Sequence, residues 1–428
     1  MYALIGAGPM GLAMARNLSK LNIPFIGFEI HSDVGGLWDI DSPTSTMYHS
    51  AHLISSKRMT EFAEFPMADA VAQYPSHANM RDYFRDYAKH FNLYAHYEFS
   101  TEVVRVEEEG ENYRVTTRHN GTEQTRQFKG VLIANGTLHH PNRIELPGEF
   151  SGELLHSADY KSADIFKDKR VLVIGCGNSG ADIAVDAVHQ AASVDLLVRR
   201  GYYFLPKFLF GKPIDTLGGK LPLPRRLKQL IDGALIRTVM GKPSNYGLPD
   251  PDYRIYESHP VINSLLLHHL GHGDIGVRPT IRSVSGNTLT FSDGSSADYD
   301  LILAATGYKL HYPFIDYRLL DWDGSGAPQL FLNAFHPSRH NLIVLGMVEA
   351  TGLGWEGRNE QAKLVAHYLK HREQNSAAFN TFNAQKVAHY QNRLDGGYRY
   401  LELERMAYYV SKDQYRAALA QYTKQLAL

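Results

Sequence analysis

The chain has 428 residues, 44% of them hydrophobic, enough for two or three domains with cores of their own. Lys and Arg number 44 against 45 Asp and Glu, so bulk charge gives no reason to expect a nucleic-acid partner. The single cysteine, Cys176, excludes a disulfide framework and the paired thiols of a disulfide reductase.

The first residues enter a strand at once, with no basic-then-apolar leader, and no apolar run is long enough to span a bilayer. A cytoplasmic protein is the expectation. Tyr2 to Ile5 reads as a short buried strand. Gly6-Ala7-Gly8-Pro9-Met10-Gly11 follows, a G-x-G-x-x-G run, and then a helix over Gly11 to Lys20 with Leu12, Ala15 and Leu18 inward. In such a run the first glycine makes the tight turn. The second lets the backbone approach a pyrophosphate, and the third lets helix pack on strand. The next strand, Phe25 to Ile30, carries Glu29 near its end, 23 positions after Gly6. That is the spacing at which an acid accepts hydrogen bonds from ribose hydroxyls.

Gly35-Gly36-Leu37-Trp38 leads into a polar, aromatic loop through Met47 to Ser50. Trp38 is either core or a cover for a group bound at the first fingerprint. Arg81 to His90 has helical spacing, with Tyr83, Phe84 and Tyr87 on one side. Glu98 to Val106 and Tyr113 to Thr117 alternate as antiparallel strands, with Gly110 and Gly121 in turns. Two apolar runs end in small residues, Val131 to Gly136 and Leu301 to Gly307. They read as returns of the chain to a first and a second nucleotide-binding sheet. Pro141 to Asp168, with Pro147, Gly148 and Gly152, reads as a linker.

A second fingerprint follows it. Val171 to Ile174 is a continuous apolar run, as a parallel strand covered on both faces should be. Gly175-Cys176-Gly177-Asn178-Ser179-Gly180 then repeats the glycine spacing. One such run is a weak signal; two, each between a strand and a helix, point to two bound dinucleotides. Cys176 inside the run is a small packed residue rather than a reactive thiol. The strand Val194 to Val198 is followed by Arg199 and Arg200, with Arg199 24 positions after Gly175, where Glu29 stood in the first unit. An arginine there suits a 2′-phosphate, so NADPH is the expected second nucleotide.

Lys220 to Lys242 is basic and leucine-rich, with Arg225, Arg226, Lys228 and Arg237. Such a segment suits either a membrane-touching amphipathic helix or a lid or solvated face. The second is expected, because Pro222 and Pro224 shorten any helix. His268, His269 and His272 have no carboxylate or cysteine at ligand spacing, so no metal is expected. The chain turns helical after Ala362.

These residues resemble the flavin-containing monooxygenases. The specific match is Phe150-Ser151-Gly152 to His156 and Tyr160, the F-x-G-x-x-x-H-x-x-x-(Y/F) pattern of that family. Gly35 to Trp38, Gly175 to Asp182, Asn245 to Leu248 and Ala305 to Tyr308 also match, in order, over essentially the whole chain. The resemblance implies an α/β protein with two Rossmann-like domains, a NADPH domain (163–300) inserted into a discontinuous FAD domain (1–162 and 301–428). It implies FAD on Gly6, Ala7, Gly8, Pro9, Met10, Gly11, Glu29, Gly36, Leu37 and Trp38, with Val103 beside them. NADPH is implied on Gly175, Gly177, Asn178, Ser179, Gly180, Asp182 and Arg199 or Arg200, with Thr306 among the cofactor residues.

The implied reaction is oxygenation of a soft nucleophile, a sulfide or an amine, through a flavin hydroperoxide. The alternatives are N-hydroxylation of a primary amine and a weakly oxygenating NADPH oxidase or redox-sensing flavoprotein. Expected partners are a small-molecule substrate and O2, without nucleic acid or stable membrane insertion, with a homodimer as the assembly to look for. One departure stands out. Where the family carries Asn-(Thr/Ser)-x-Lys at the flavin edge, this chain has Ile54-Ser55-Ser56-Lys57.

Overall fold

The structure, a computed structural model, describes residues 1–217 and 223–427. The chain forms two compact units. The first comprises 1–45, 57–140 and 309–428, and the second comprises 46–56 and 141–308. The second is therefore inserted into the first. Its bounds lie at 140/141 and 308/309 rather than at 162/163 and 300/301. A short early segment, 46–56, also belongs with it.

Each unit is built on a five-stranded, all-parallel sheet, and the two sheets have the same plan. In the first unit the order is Leu342–Val344, Val131–Ile133, Tyr2–Ile5, Phe25–Phe28, Tyr97–Glu98. In the second it is Glu153–His156, Leu301–Ala304, Arg170–Ile174, Ser193–Leu197, Ile275–Arg278. The strand that feeds each glycine run lies at the centre, and both central strands are buried almost throughout. Their unbroken apolar sequences are what a strand covered on both faces requires. Each unit also carries a further sheet. In the first it is antiparallel, formed by Thr101–Glu109, Asn112–His119 and Thr122–Phe128. The second unit's is mixed: Ile281–Gly286, Thr288–Phe291 and Ser296–Asp298 pair antiparallel, and Gly148–Phe150 joins Ile281–Gly286 in parallel.

Several boundaries differ from the sequence reading. The strand expected over Glu98 to Val106 is two: Tyr97–Glu98 joins the parallel sheet, and Thr101–Glu109 opens the antiparallel one. The helix expected from Arg81 begins at His77, because Ser76 caps it reciprocally with Asn79. The linker at 141–168 contains two strands, Gly148–Phe150 and Glu153–His156, and the second forms an edge of the parallel sheet. The C-terminal helices start earlier than Ala362, with Gly354–Glu373, followed by Ala377–His389 and Lys412–Gln425. No helix among the described residues is long and apolar enough to cross a membrane.

Helix Ala377–His389 carries a fully buried lysine. Lys386 Nζ lies 2.9 Å from His340 Nδ1 and 5.7 Å from the centre of the Tyr368 ring. Burial lowers its pKa to about 7. The folded value is thus below that of the unfolded chain. Between pH 7 and about 10 the unfolded state holds the extra proton, so the contribution of Lys386 to stability rises with pH. Lys386→Met removes this charge. Denaturation at pH 6.5 and pH 9.5 should show the wild type gaining on the variant by a few kcal/mol at the higher pH. A difference between them that is the same at both pH values would contradict the buried-charge account.

Candidate functional site

Each glycine run forms a cradle, and the three glycines in it have different causes. Gly6 and Gly175 both have φ +103°, a left-handed value that favours glycine, and an added Cβ would lie 2.5 Å from the Ala134 carbonyl oxygen or 2.6 Å from that of Ala305. At Gly11 and Gly180 an added Cβ would run into the carbonyl oxygen of Gly6 or Gly175. The fold itself therefore requires these four glycines.

The middle glycines are unlike them. Gly8 (φ −69°, ψ 179°) and Gly177 (φ −75°, ψ −177°) have extended backbone that any residue adopts. A Cβ at Gly8 would meet only Gly36 Cα, at 3.7 Å, and one at Gly177 would meet nothing within 4 Å. Nothing in the protein requires glycine at either place. Each caps the start of a helix, Pro9–Lys20 or Asn178–Val188, whose first N–H groups have no partner within the helix. A pyrophosphate lying on the helix N-terminus accounts for both glycines, so the cradles fit dinucleotides.

The strand after the first cradle delivers Glu29. It is buried, its Oε2 accepts from Ala7 N at 2.6 Å, and its Oε1 accepts from His31 N at 3.0 Å. Burial raises its pKa above the ordinary carboxylate range, while the two N–H donors work the other way. Gly35 (φ +118°) and Gly36 (φ +58°) lead into the short helix Gly36–Trp38, which brings Leu37 and Trp38 beside this cradle. Trp38 stands edge-on to Trp355 at 6.5 Å, and Trp355 edge-on to Phe84 at 5.5 Å. Trp355 and Gly346, which presses on Met10, were absent from the sequence reading; the Gly-Leu-Gly-Trp run at 352–355 was the available signal. Val103 is buried in the core with Phe28 and Tyr113, so its side chain is committed to packing.

In the second unit, hydrogen-bond register changes one assignment. Gly6 N donates to Phe28 O, and Gly175 N to Leu197 O. Phe28 and Leu197 are thus equivalent, and the residue in Glu29's place is Val198, not Arg199. Arg199 follows one position later, exposed and without a salt bridge among the described residues. Arg200 lies over the Tyr202 ring at 4.9 Å. Asn178 and Asp182 are both hydrogen-bonded within this unit. Asn178 donates to Pro260 O and accepts from Ile262 N. Asp182 accepts from Asn263 Nδ2 at 2.6 Å and from the Tyr48 hydroxyl at 3.2 Å; burial raises its pKa against these donors. Ser179 lies half-buried in the first turn of this helix, and Thr306 hydrogen-bonds Asn142 O at 2.6 Å next to Ala305, the residue packed against Gly175 and Gly180.

The residues of the family pattern at 150–160 are held by contacts within this unit. A Cβ at Gly152 would lie 2.6 Å from Asp300 O, His156 Nδ1 accepts from Ala158 N, and the Tyr160 hydroxyl donates to Asp186 at 2.9 Å. Asp186 also accepts from Ser50, and Asp215 from Ser56 N at 2.6 Å. Segment 46–56, with half-buried Ile54 and Ser55, is tied to the second unit by these bonds. Cys176 is buried with its pKa pushed up to about 12, an inert thiol. His269 hydrogen-bonds Asp274, and His268 lies against His272. Among the described residues no group of three or more ligating side chains is placed to hold a metal.

The family model described as flavin-binding monooxygenase-like matches residues 1–408. The chain belongs to that family. It is a flavin-dependent monooxygenase, an oxidoreductase. Flavin-containing monooxygenase 1 of Homo sapiens is 30% identical over 395 residues, covering 86% of this chain and 73% of that protein. Among solved structures, S-allyl-L-cysteine S-oxygenase from Allium sativum superposes with a TM-score of 0.67 at 20% identity, over 99% of this chain and 88% of that one. A cyclohexanone monooxygenase mutant from Rhodococcus sp. Phi1, bound to NADP+, gives 0.72 at 17% identity, over 98% and 96%. These likenesses establish the two-unit fold.

The unequal causes of the glycines can be tested. Gly8→Ala should lose bound flavin yet melt where the flavin-free wild type melts, whereas Gly11→Ala should lose several kcal/mol of stability even against flavin-free wild type. Flavin content and melting curves of both purified variants and of flavin-free wild type decide it. Full flavin occupancy in Gly8→Ala would remove the ligand explanation.

Proposed function

We propose that this chain transfers one atom of O2 to a soft nucleophile, a sulfide or an amine, with FAD in the first cradle and NADPH in the second. The observation that carries the reading is the pair Gly8 and Gly177, glycines without a cause in the protein, within a flavin-binding monooxygenase family. Its cofactors are FAD and NADPH. The first is held by the Gly6 to Gly11 turn, Glu29 and the Gly36–Trp38 turn. Glu29, held by Ala7 N and His31 N, keeps carboxylate lone pairs for ribose hydroxyls. The second is held by the Gly175 to Gly180 turn, with Arg199 and Arg200 beside the adenosine 2′-phosphate.

When bound, FAD reduced by NADPH supplies the electrons that activate O2. The chain's own side chains bind, orient and exclude water, and the reaction asks no nucleophile of them. A panel of thioethers, tertiary amines and primary amines, with product and hydrogen peroxide measured against NADPH consumed, tests the reading. Oxygenated thioether or tertiary amine supports it. Primary amines as the sole substrates would favour N-hydroxylation, and peroxide alone would favour an oxidase.

Arg199 and Arg200 set the choice of nucleotide. A charge-assisted arginine–phosphate contact is worth about 1.5–3 kcal/mol, roughly ten- to a hundredfold in affinity. Replacing both with alanine should raise KM for NADPH by that factor and leave KM for NADH nearly unchanged. Equal use of NADPH and NADH by the wild type would refute the assignment.

One residue favours the leaky reading. Ile54 brings no hydrogen-bond donor to the place where the family's asparagine stands. Removing one preorganised donor from a site where charge develops can cost about 2.7–4 kcal/mol, less where a Ser55 hydroxyl or a water substitutes. Ile54→Asn should raise the ratio of oxygenated product to hydrogen peroxide at matched flavin content. Tight coupling in the wild type, with no gain in the variant, would make the missing amide irrelevant.

A further inference from the structure

The basic, leucine-rich segment forms a 16-residue helix, Arg225–Met240, in the second unit. Lys220 to Pro222, part of the segment read from the sequence, lie outside the described residues. Pro224 does not shorten this helix; it caps it. Its amphipathicity is inverted. The face turned to the protein is seated by polar bonds and, at its end, by Met240 against the core; the helix's one buried residue is Gln229, which is 5% exposed and donates to Ile255 O and Glu257. The outward face carries Leu227, Leu230, Ile231, Leu235 and Val239, with Leu230 70% exposed.

At 100° per residue these five side chains fall on one half of the helix, an apolar face shared with Thr238 and with Lys228, whose amine is turned to Asp232. Arg226 and Arg237, both exposed, border this face on one side, and neither makes a salt bridge among the described residues. Asp232 is the only acid of the helix, and it is taken by Lys228 at 2.6 Å and the Tyr256 hydroxyl at 2.5 Å. In the same unit a hairpin, Phe208–Leu209 with Lys212–Pro213, turns through Phe210, which is 86% exposed.

We propose that this outward face docks on an anionic lipid surface, with its apolar side chains in the acyl boundary and Arg226 and Arg237 at headgroup level. A contiguous exposed apolar face marks an interface, and the charges select the occupant. A two-fold pair of these helices would set Arg226 against Arg237 with no free carboxylate to receive either. An anionic bilayer receives both, and long basic side chains reach its headgroups while their stems lie along apolar surface. The helix is too short to span, so the contact is peripheral.

Purified holoenzyme is sedimented with vesicles of phosphatidylcholine alone or mixed with phosphatidylglycerol, at low and high salt. Two variants, Leu230→Ser/Leu235→Ser and Arg226→Gln/Arg237→Gln, accompany the wild type. All the replaced side chains face solvent, so melting curves should match. The expected result is binding to the mixed vesicles that high salt weakens, about thirtyfold weaker in the arginine variant and lost in the leucine variant. Absence of binding, equal binding to neutral vesicles, or binding unaffected by either variant would overturn the proposal. So would a dimer, seen by light scattering, that the leucine variant splits while wild-type protein ignores the vesicles.

Discussion

The structure depends on one close approach, made twice. The helix after each central strand starts so near the strand's end that the third glycine, Gly11 or Gly180, has no space for a Cβ against the carbonyl of the first. That approach fixes where the helix N-terminus points. It sets the following strand beside the first, so that Gly6 N reaches Phe28 O and Gly175 N reaches Leu197 O. It also leaves open space over Gly8 and Gly177. The phosphate-binding geometry is thus a consequence of packing, and the ligand adds only the requirement that the middle residue stay small.

With the two cradles alike, their chemistry is separated by what each following strand presents. In the first unit the equivalent place holds Glu29, an acceptor braced by two backbone donors. In the second it holds buried Val198, and the exposed cation comes one residue later. The helix that opens on the second cradle has a further task. Its carboxylates, Asp182 and Asp186, gather Tyr48, Ser50, Tyr160 and Asn263 and so tie segment 46–56 to this unit. Ile54 and Ser55 therefore lie in a segment held by the second unit's hydrogen bonds.

Much of this was legible in the residues. Tyr2–Ile5 and Val171 to Ile174 announced themselves as unbroken apolar runs before glycine, because a strand covered on both faces leaves no alternation to misread. Thr122–Phe128 did not, since six of its seven residues are at least partly exposed and the strand carries no periodic signal. Glu153–His156 was hidden by flanking glycines and prolines that read as a linker. Position counting placed Arg199 opposite Glu29; only hydrogen-bond register shows the offset of one. The helix Arg225–Met240 shows a further limit. An apolar stripe on a helix predicts that one face is buried somewhere, and periodicity is blind to whether that face points in or out.

The central claim is that the two cradles serve a monooxygenase. It is tested most directly by oxygenating a thioether with NADPH under 18O2 and weighing the product. The account predicts a sulfoxide carrying one labelled oxygen for each turnover that yields product. Sulfoxide without the label, or NADPH consumed with no sulfoxide and all the label in hydrogen peroxide, would contradict it.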